Sequence, residues 1–363
     1  MLYNVSTQNL ANGVTTVGEL VALAQEMEGM KSDELVPANQ LQLLATTDDE
    51  LHAAIPSGTP FGAAVSPLST HAFYQLCGKL NMPSGYFKSV TPGLAAPHFN
   101  HWLQNGGDRH LLLRTMSELD GDGHYIRAVL SDEYAVLDNS TVLDVAQNVL
   151  NSSGLGGVSL IRPYLTRDRL SLTMTYPTGD FVQSLAAKAG VPAKESRNFA
   201  FGVRIQNSED GTGSLVVAPL LQRHSCTNSI VFTRGGFRQG HRGKRASQAF
   251  LQAALAEHMG QAMMLGADML SKIGGAYAAQ VPSLSSVLAR MGEKFGLSRE
   301  VADAIMQGSE RENSLWGMIN GLSYAAHAVP DLPQERREGL EALAGNALVG
   351  GWAALMTEDA DDD

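Results

Sequence analysis

The stretch that decides the fold runs from Phe199 to Arg245, FAFGVRIQNSEDGTGSLVVAPLLQRHSCTNSIVFTRGGFRQGHRGKR. Val203 and Ile205 alternate with Arg204 and Gln206, Asn207 to Gly211 supplies turn chemistry, and Leu215 to Val217 resumes an extended run. A third apolar run, Ile230 to Phe232, follows Cys226-Thr-Asn-Ser. The segment then turns basic. Between Gly211 and Ala256 stand six Lys or Arg and no Asp or Glu, in a chain carrying 26 basic and 37 acidic residues. Everything outside that window therefore sums to 20 minus 37, or −17. A local cationic segment in an acidic protein points to a polyanion, because each neutralised phosphate releases condensed counterions.

Working outward, the preceding region also reads as sheet. His110 to Glu118 and His124 to Ser131 flank Asp120-Gly-Asp-Gly and form an expected hairpin. Asp138 opens a helix to about Asn151, with Thr141 and Asp144 spaced like a capping box. Val158 to Leu165 and Arg169 to Tyr176, joined by Thr166-Arg-Asp, make a second hairpin, and a short helical insertion spans Phe181 to Ala189. The middle third thus predicts a six- or seven-stranded, largely antiparallel sheet backed by a helix, an α+β fold.

On either side the pattern is helical. Thr15 or Thr16 caps a helix through Met27, Ser69 caps Thr70 to Leu80, and Leu94 to Leu103 forms another. Cys77 lies on the apolar face of its helix and reads as core. Beyond Arg245, an Ala-, Met- and Leu-rich helix is expected to about Gln280, weakened by Gly260, Gly266, Gly274 and Gly275. Further helices run from Asn313 to His327 and from Gln334 to Met356. The expected regions are 1–105, helical; 106–245, the α+β core; 246–357, a helical bundle; and 358–363, an acidic tail.

Length and composition narrow the function classes. With 363 residues, 44% of them hydrophobic and 17% charged, the chain is globular rather than disordered. No apolar run approaches the roughly 20 residues that span a bilayer. Neither a signal peptide nor a disulfide framework is expected, since Cys77 and Cys226 stand alone, and a bacterial cytoplasm fits. No phosphate-binding loop, Cys-x-x-Cys, His-Glu-x-x-His or Gly-x-Ser-x-Gly occurs, so the sequence calls for no cofactor and no metal. The carboxylates that a metal-dependent nuclease would draw on are Asp132, Glu133, Asp138, Glu209 and Asp210.

The binding reading rests on Arg223, Arg234, Arg238, Arg242, Lys244 and Arg245 as phosphate contacts, with Phe237 as a stacking face. Arg162, Arg167 and Arg169 are expected to extend that surface, although each has acidic neighbours that offer an alternative. Arg223, Asn207 and Asn228 also suit buried roles tying strand ends together.

Several ordered segments, Arg127 to Asn139, Gly202 to Gly211, Arg223 to Asn228, Leu68 to Phe87 and Ser314 to Asn320, resemble a phage- and plasmid-borne family of undefined function, the YfjQ, YafZ and YubP type. Ser229 and the residues Glu133 and Ala135 depart from its pattern. The setting is in turn similar, at the level of fold and context, to single-strand annealing proteins of the RecT and Redβ kind. That resemblance implies ATP-independent binding and annealing of single-stranded DNA, a ring or filament of identical subunits, and host single-strand-binding or recombination proteins as partners. The long helix after Ala246 is then the expected subunit contact. The alternative from another class is a mobile-element factor that recognises proteins through its acidic surface and tail.

Overall fold

A computed structural model describes residues 8–47, 50–55, 65–105, 107–117, 123–153, 157–176, 187–188, 190–191, 199–223, 228–232, 236–242, 248–281, 283–310 and 312–356. The fold is mixed α+β, and the strands pair into antiparallel sheets.

Local signals set the first elements. Thr16 and Glu19 exchange hydrogen bonds in a capping box that starts α1 (Val17–Glu28), and Ser69 accepts from the Ala72 amide to start α2 (Thr70–Lys79). Between them the chain is extended, not helical as expected: β1 (Lys31–Pro37), β2 (Gln42–Ala45), β3 (Leu51–Ala54) and β4 (Val65–Pro67). Strands β2, β3 and β4 form one small sheet. Helices α3 (Ser84–Ser89) and α4 (Pro92–Gln104) follow, and Phe73, Phe87 and Phe99 pack edge to face beneath them.

The two predicted hairpins belong to different sheets. The first, β5 (His110–Ser117) with β6 (His124–Ser131), takes β1 as its third strand, in the order β1-β5-β6. The reason is hydrophobic: Val36, Leu111, Leu113, Ile126 and Val129 cover the core under α2 and α4, while Met116 and Tyr125 point into the next one. Helix α5 (Asn139–Ser153) starts at Asn139, and the Asp138 side chain before it pairs with Arg114.

The second sheet has seven strands: β7 (Ser159–Leu160), β8 (Tyr164–Leu165), β9 (Arg169–Thr175), β10 (Phe199–Ser208), β11 (Leu215–Arg223), β12 (Asn228–Val231) and β13 (Phe237–Gln239). Strand β11 pairs with β10 along one edge, and with β13 and then β12 along the other. The helical insertion expected over 181–189 lies largely outside the described residues.

Helix α6 (Gln248–Ala278) runs unbroken past its glycines because it lies on this sheet. Leu251, Leu255 and Met259 enter a core shared with α1, α5, β9 and β10. Met269, Ile273 and Ala276 enter a second core with α7 (Leu284–Phe295), α8 (Arg299–Gly308), α9 (Leu315–Ala328) and α10 (Gln334–Gly350), the last followed by the short α11 (Ala353–Met356). The three expected regions therefore interlock. Strand β1 joins the hairpin of the middle region, and the long helix buries these apolar residues inside the chain.

Candidate nucleic-acid interface

The turn between β10 and β11 fixes everything around the basic segment. Its Glu209 carboxylate is fully buried and accepts from Arg127 Nη1 at 2.6 Å, Lys31 Nζ at 2.7 Å and the Asn139 amide at 2.7 Å. Its carbonyl accepts from Arg114 Nη1 at 2.7 Å. One residue thus ties β10 to β1, β5, β6 and the start of α5. Asp210, next in the turn, bonds locally instead: its Oδ1 accepts from the Thr212 amide at 3.0 Å.

Around Glu209 the charges form a network. Arg114 pairs with Asp33 at 2.9 Å and with Asp138, and Arg127 also reaches Asp168 at 2.7 Å. Lys31, Arg114 and Arg127 face Glu28, Asp33, Asp138, Asp168 and Glu209, three cations against five carboxylates. That imbalance sorts the acids. Burial opposes ionisation of Glu209, yet Lys31, Arg127 and Arg114 outweigh it and hold the carboxyl at about 2. Asp138 and Asp168 are raised, by burial first and then by neighbouring carboxylates.

Glu28, Asp138 and Glu209 each bring a carboxylate oxygen within 4.8 Å of the others. Lys31 Nζ bridges two of them, at 3.0 Å from Glu28 and 2.7 Å from Glu209, and so takes the place of a bound cation. A polynucleotide has no access to a fully buried Glu209, so this cluster does not serve the nuclease reading.

The turn positions the next layer. Gln75 Nε2 donates to the Asp210 carbonyl at 2.7 Å, and Tyr134 Oη donates to the Ser208 carbonyl at 3.1 Å. His241 stacks on Tyr134, with centroids 5.2 Å apart, and its carbonyl accepts from the Ala135 amide at 2.8 Å. Burial lowers the pKa of His241, which favours the neutral ring. The exposed Arg242, next to His241, is near enough to Lys79 of α2 to act on its charge, and Arg109 Nη1 donates to the Lys79 carbonyl. The Lys79 pKa is lowered by burial and then by Arg242 and Arg109, with Asp132 opposing. Two cations and one carboxylate thus act on Lys79.

The residues expected to contact phosphate separate into groups. Arg238 is exposed on β13, and with Phe237 and Arg169 it lines a cleft of about 430 Å³ between the sheet and α10. Phe237 is half-buried and stacked on His258 at 4.5 Å, so one face of its ring is taken. Arg169 pairs with Glu335, and Arg223 is 6% exposed and faces Glu310 at 3.6 Å. Arg167 donates to Tyr125 Oη at 3.1 Å. Arg162 lines a different cleft. These four do not extend one positive surface, because acidic and aromatic groups from distant parts of the chain meet or separate them. Arg234, Lys244 and Arg245 lie outside the described residues.

Lys79 and Arg109 escaped the sequence reading. They lie more than a hundred residues before the basic segment, and Arg242 acts on Lys79 only in the folded chain. Arg114 and Arg127 sit within apolar-rich strands; their one visible signal was a charge in the middle of each run.

Comparison of the chain with family models, with curated proteins and with solved structures finds no match.

Proposed function

We propose that this protein binds single-stranded DNA without nucleotide hydrolysis and anneals complementary strands in phage or plasmid recombination. The observation that carries the reading is Arg242: exposed, grouped with Lys79 and Arg109, in a chain whose net charge is −11. Lys244 and Arg245 follow it two and three residues later in sequence, and Arg238 precedes it by four residues. Such a strip suits a sugar-phosphate chain, since guanidinium forks recognise phosphate oxygens without reading bases. Annealing, assembly into a ring or filament, and host recombination partners rest on the family resemblance and are part of the same proposal.

The test is a native-gel titration with an end-labelled oligonucleotide, followed by mixing two complementary strands with no nucleotide present. A retarded band and faster duplex formation are expected, and elution volume should report a larger species once oligonucleotide is added. No retardation at micromolar protein would remove the proposal.

A further inference from the structure

Five residues stand in one row across the seven-stranded sheet. Tyr164 of β8 pairs with Ser171 of β9, Ser171 with Gln206 of β10, Gln206 with Val216 of β11, and Val216 with Arg238 of β13. Directly opposed residues of an antiparallel pair put their side chains on the same face of the sheet. The whole row therefore faces one way, and all five residues line the cleft of about 430 Å³ between the sheet and α10. That volume falls in the range of small-molecule sites, roughly 300–1,000 Å³. With strands about 4.8 Å apart, Gln206 stands roughly 10 Å from Arg238 along the row, and Tyr164 roughly 19 Å.

Four of the five are polar, and the fold uses none of their side chains. Among the described residues, no hydrogen bond or ion pair joins the Tyr164 or Ser171 hydroxyl, the Gln206 amide or the Arg238 guanidinium to another protein group. Yet Ser171 is only 5% exposed and Gln206 is half-buried. Two residues away along β10 in either direction, the same face is bonded internally. Arg204 donates to Thr173 at 3.0 Å and to Glu341, and Ser208 Oγ donates to Asp210. Buried polar groups are as a rule paired, so the open row between these bonds calls for water or a ligand.

Charge is divided along the row. At the Tyr164 end, Glu338 acts on the hydroxyl and accepts from Gln334 at 2.9 Å, while Arg169 is paired with Glu335. Arg238 stands exposed at the other end. Two arginines and two glutamates leave the lining with no net charge. Such a cleft suits a ligand with one anionic end and a neutral body that forms hydrogen bonds.

We infer that this cleft takes one nucleotide, its phosphate on Arg238 and its base over Val216 with the base edge on the Gln206 amide. That amide offers a donor and an acceptor side by side, and adenine presents the matching pair. A free nucleotide and one unit of a single strand share this chemistry; the second source deepens the strand-binding reading and rests on it, the first does not. Isothermal titration of the full chain with deoxyadenosine monophosphate, at constant ionic strength, tests the site, with deoxyribose 5-phosphate as the arm that lacks a base. The nucleotide should bind saturably, and at least about tenfold more tightly than the sugar phosphate. Gln206→Leu should weaken it by about fivefold or more, the lower end of what a bidentate amide–base contact discriminates. Because Gln206 makes no hydrogen bond in the fold, that variant should melt no lower than the parent. Gln206→Glu keeps the shape, removes the donor and should weaken binding too, which checks the loss independently of packing. Competition with a single-stranded oligonucleotide separates the sources: lost nucleotide heat assigns the cleft to the strand, retained heat to the free nucleotide, and the site stands in both cases. No saturable nucleotide binding, equal affinity for deoxyribose 5-phosphate, or unchanged affinity in both Gln206 variants would overturn the assignment. Strand binding that depends on Arg242 and Lys79 is read separately, so the failure of one is not the failure of the other.

Discussion

Arg127 of β6 and Glu209 beyond β10 meet at 2.6 Å with both side chains fully buried, and that contact joins the β1-β5-β6 sheet to the seven-stranded one. A buried pair of this kind contributes little net stability over an apolar pair, but removing one partner strands the other. Glu209→Gln should therefore destabilise the protein by about 3–5 kcal/mol, read as a lower urea midpoint. An unchanged midpoint would mean that Arg127, Lys31 and Arg114 find other partners.

The same carboxylate sets the acid response. Its folded pKa of about 2 lies below the ordinary 4.5, so its contribution is complete above about 4.5 and is lost as pH falls towards 2. Asp138 and Asp168 are raised and act in the opposite sense, costing stability when ionised and relieving it as pH falls. Urea midpoints taken from neutral pH down to about 3 should fall for the parent and flatten in Glu209→Gln.

Helix α10 approaches β12 so closely that a Cβ on Gly345 would overlap the Val231 carbonyl. Backbone cannot yield as a flexible side chain does. Gly345→Ala should cost about 1–3 kcal/mol, even though alanine is the better helix former. Thermal melts of the pair decide it.

Charge variants separate the exposed cations from the neutralised ones. Arg242→Gln combined with Lys79→Gln should weaken oligonucleotide binding severalfold. Arg223→Gln should not, since that guanidinium is buried against Glu310. Anisotropy at fixed low salt makes the comparison, and equal losses in both variants would shift the site away from Arg242.

Periodicity and capping made much of the fold legible. The Thr16 and Ser69 caps, the 199–223 hairpin and the long helix were all readable, because each depends on residues close in sequence. Sheet membership was not, since β1 pairs with β5 across about eighty residues and nothing local encodes that choice. Strand β13 was not expected from sequence; its three residues pair with the edge of β11. For the candidate site, charge alone pointed to Arg238 and Arg242, which the structure leaves exposed. For Arg169 and Arg223 the sequence left a paired or buried role open, but not the partners, because Glu335 and Glu310 lie far away in the sequence.

The central claim concerns a phosphate chain on the cationic strip, and salt tests it most directly. Fluorescence anisotropy of a labelled single strand, titrated at rising potassium chloride, should give log affinity falling linearly with log salt, by about 0.7 per phosphate neutralised. A slope near 2 or steeper is the result predicted for Arg238, Arg242, Lys79 and Arg109 acting together. Binding that ignores salt, or no binding at low salt, would contradict it.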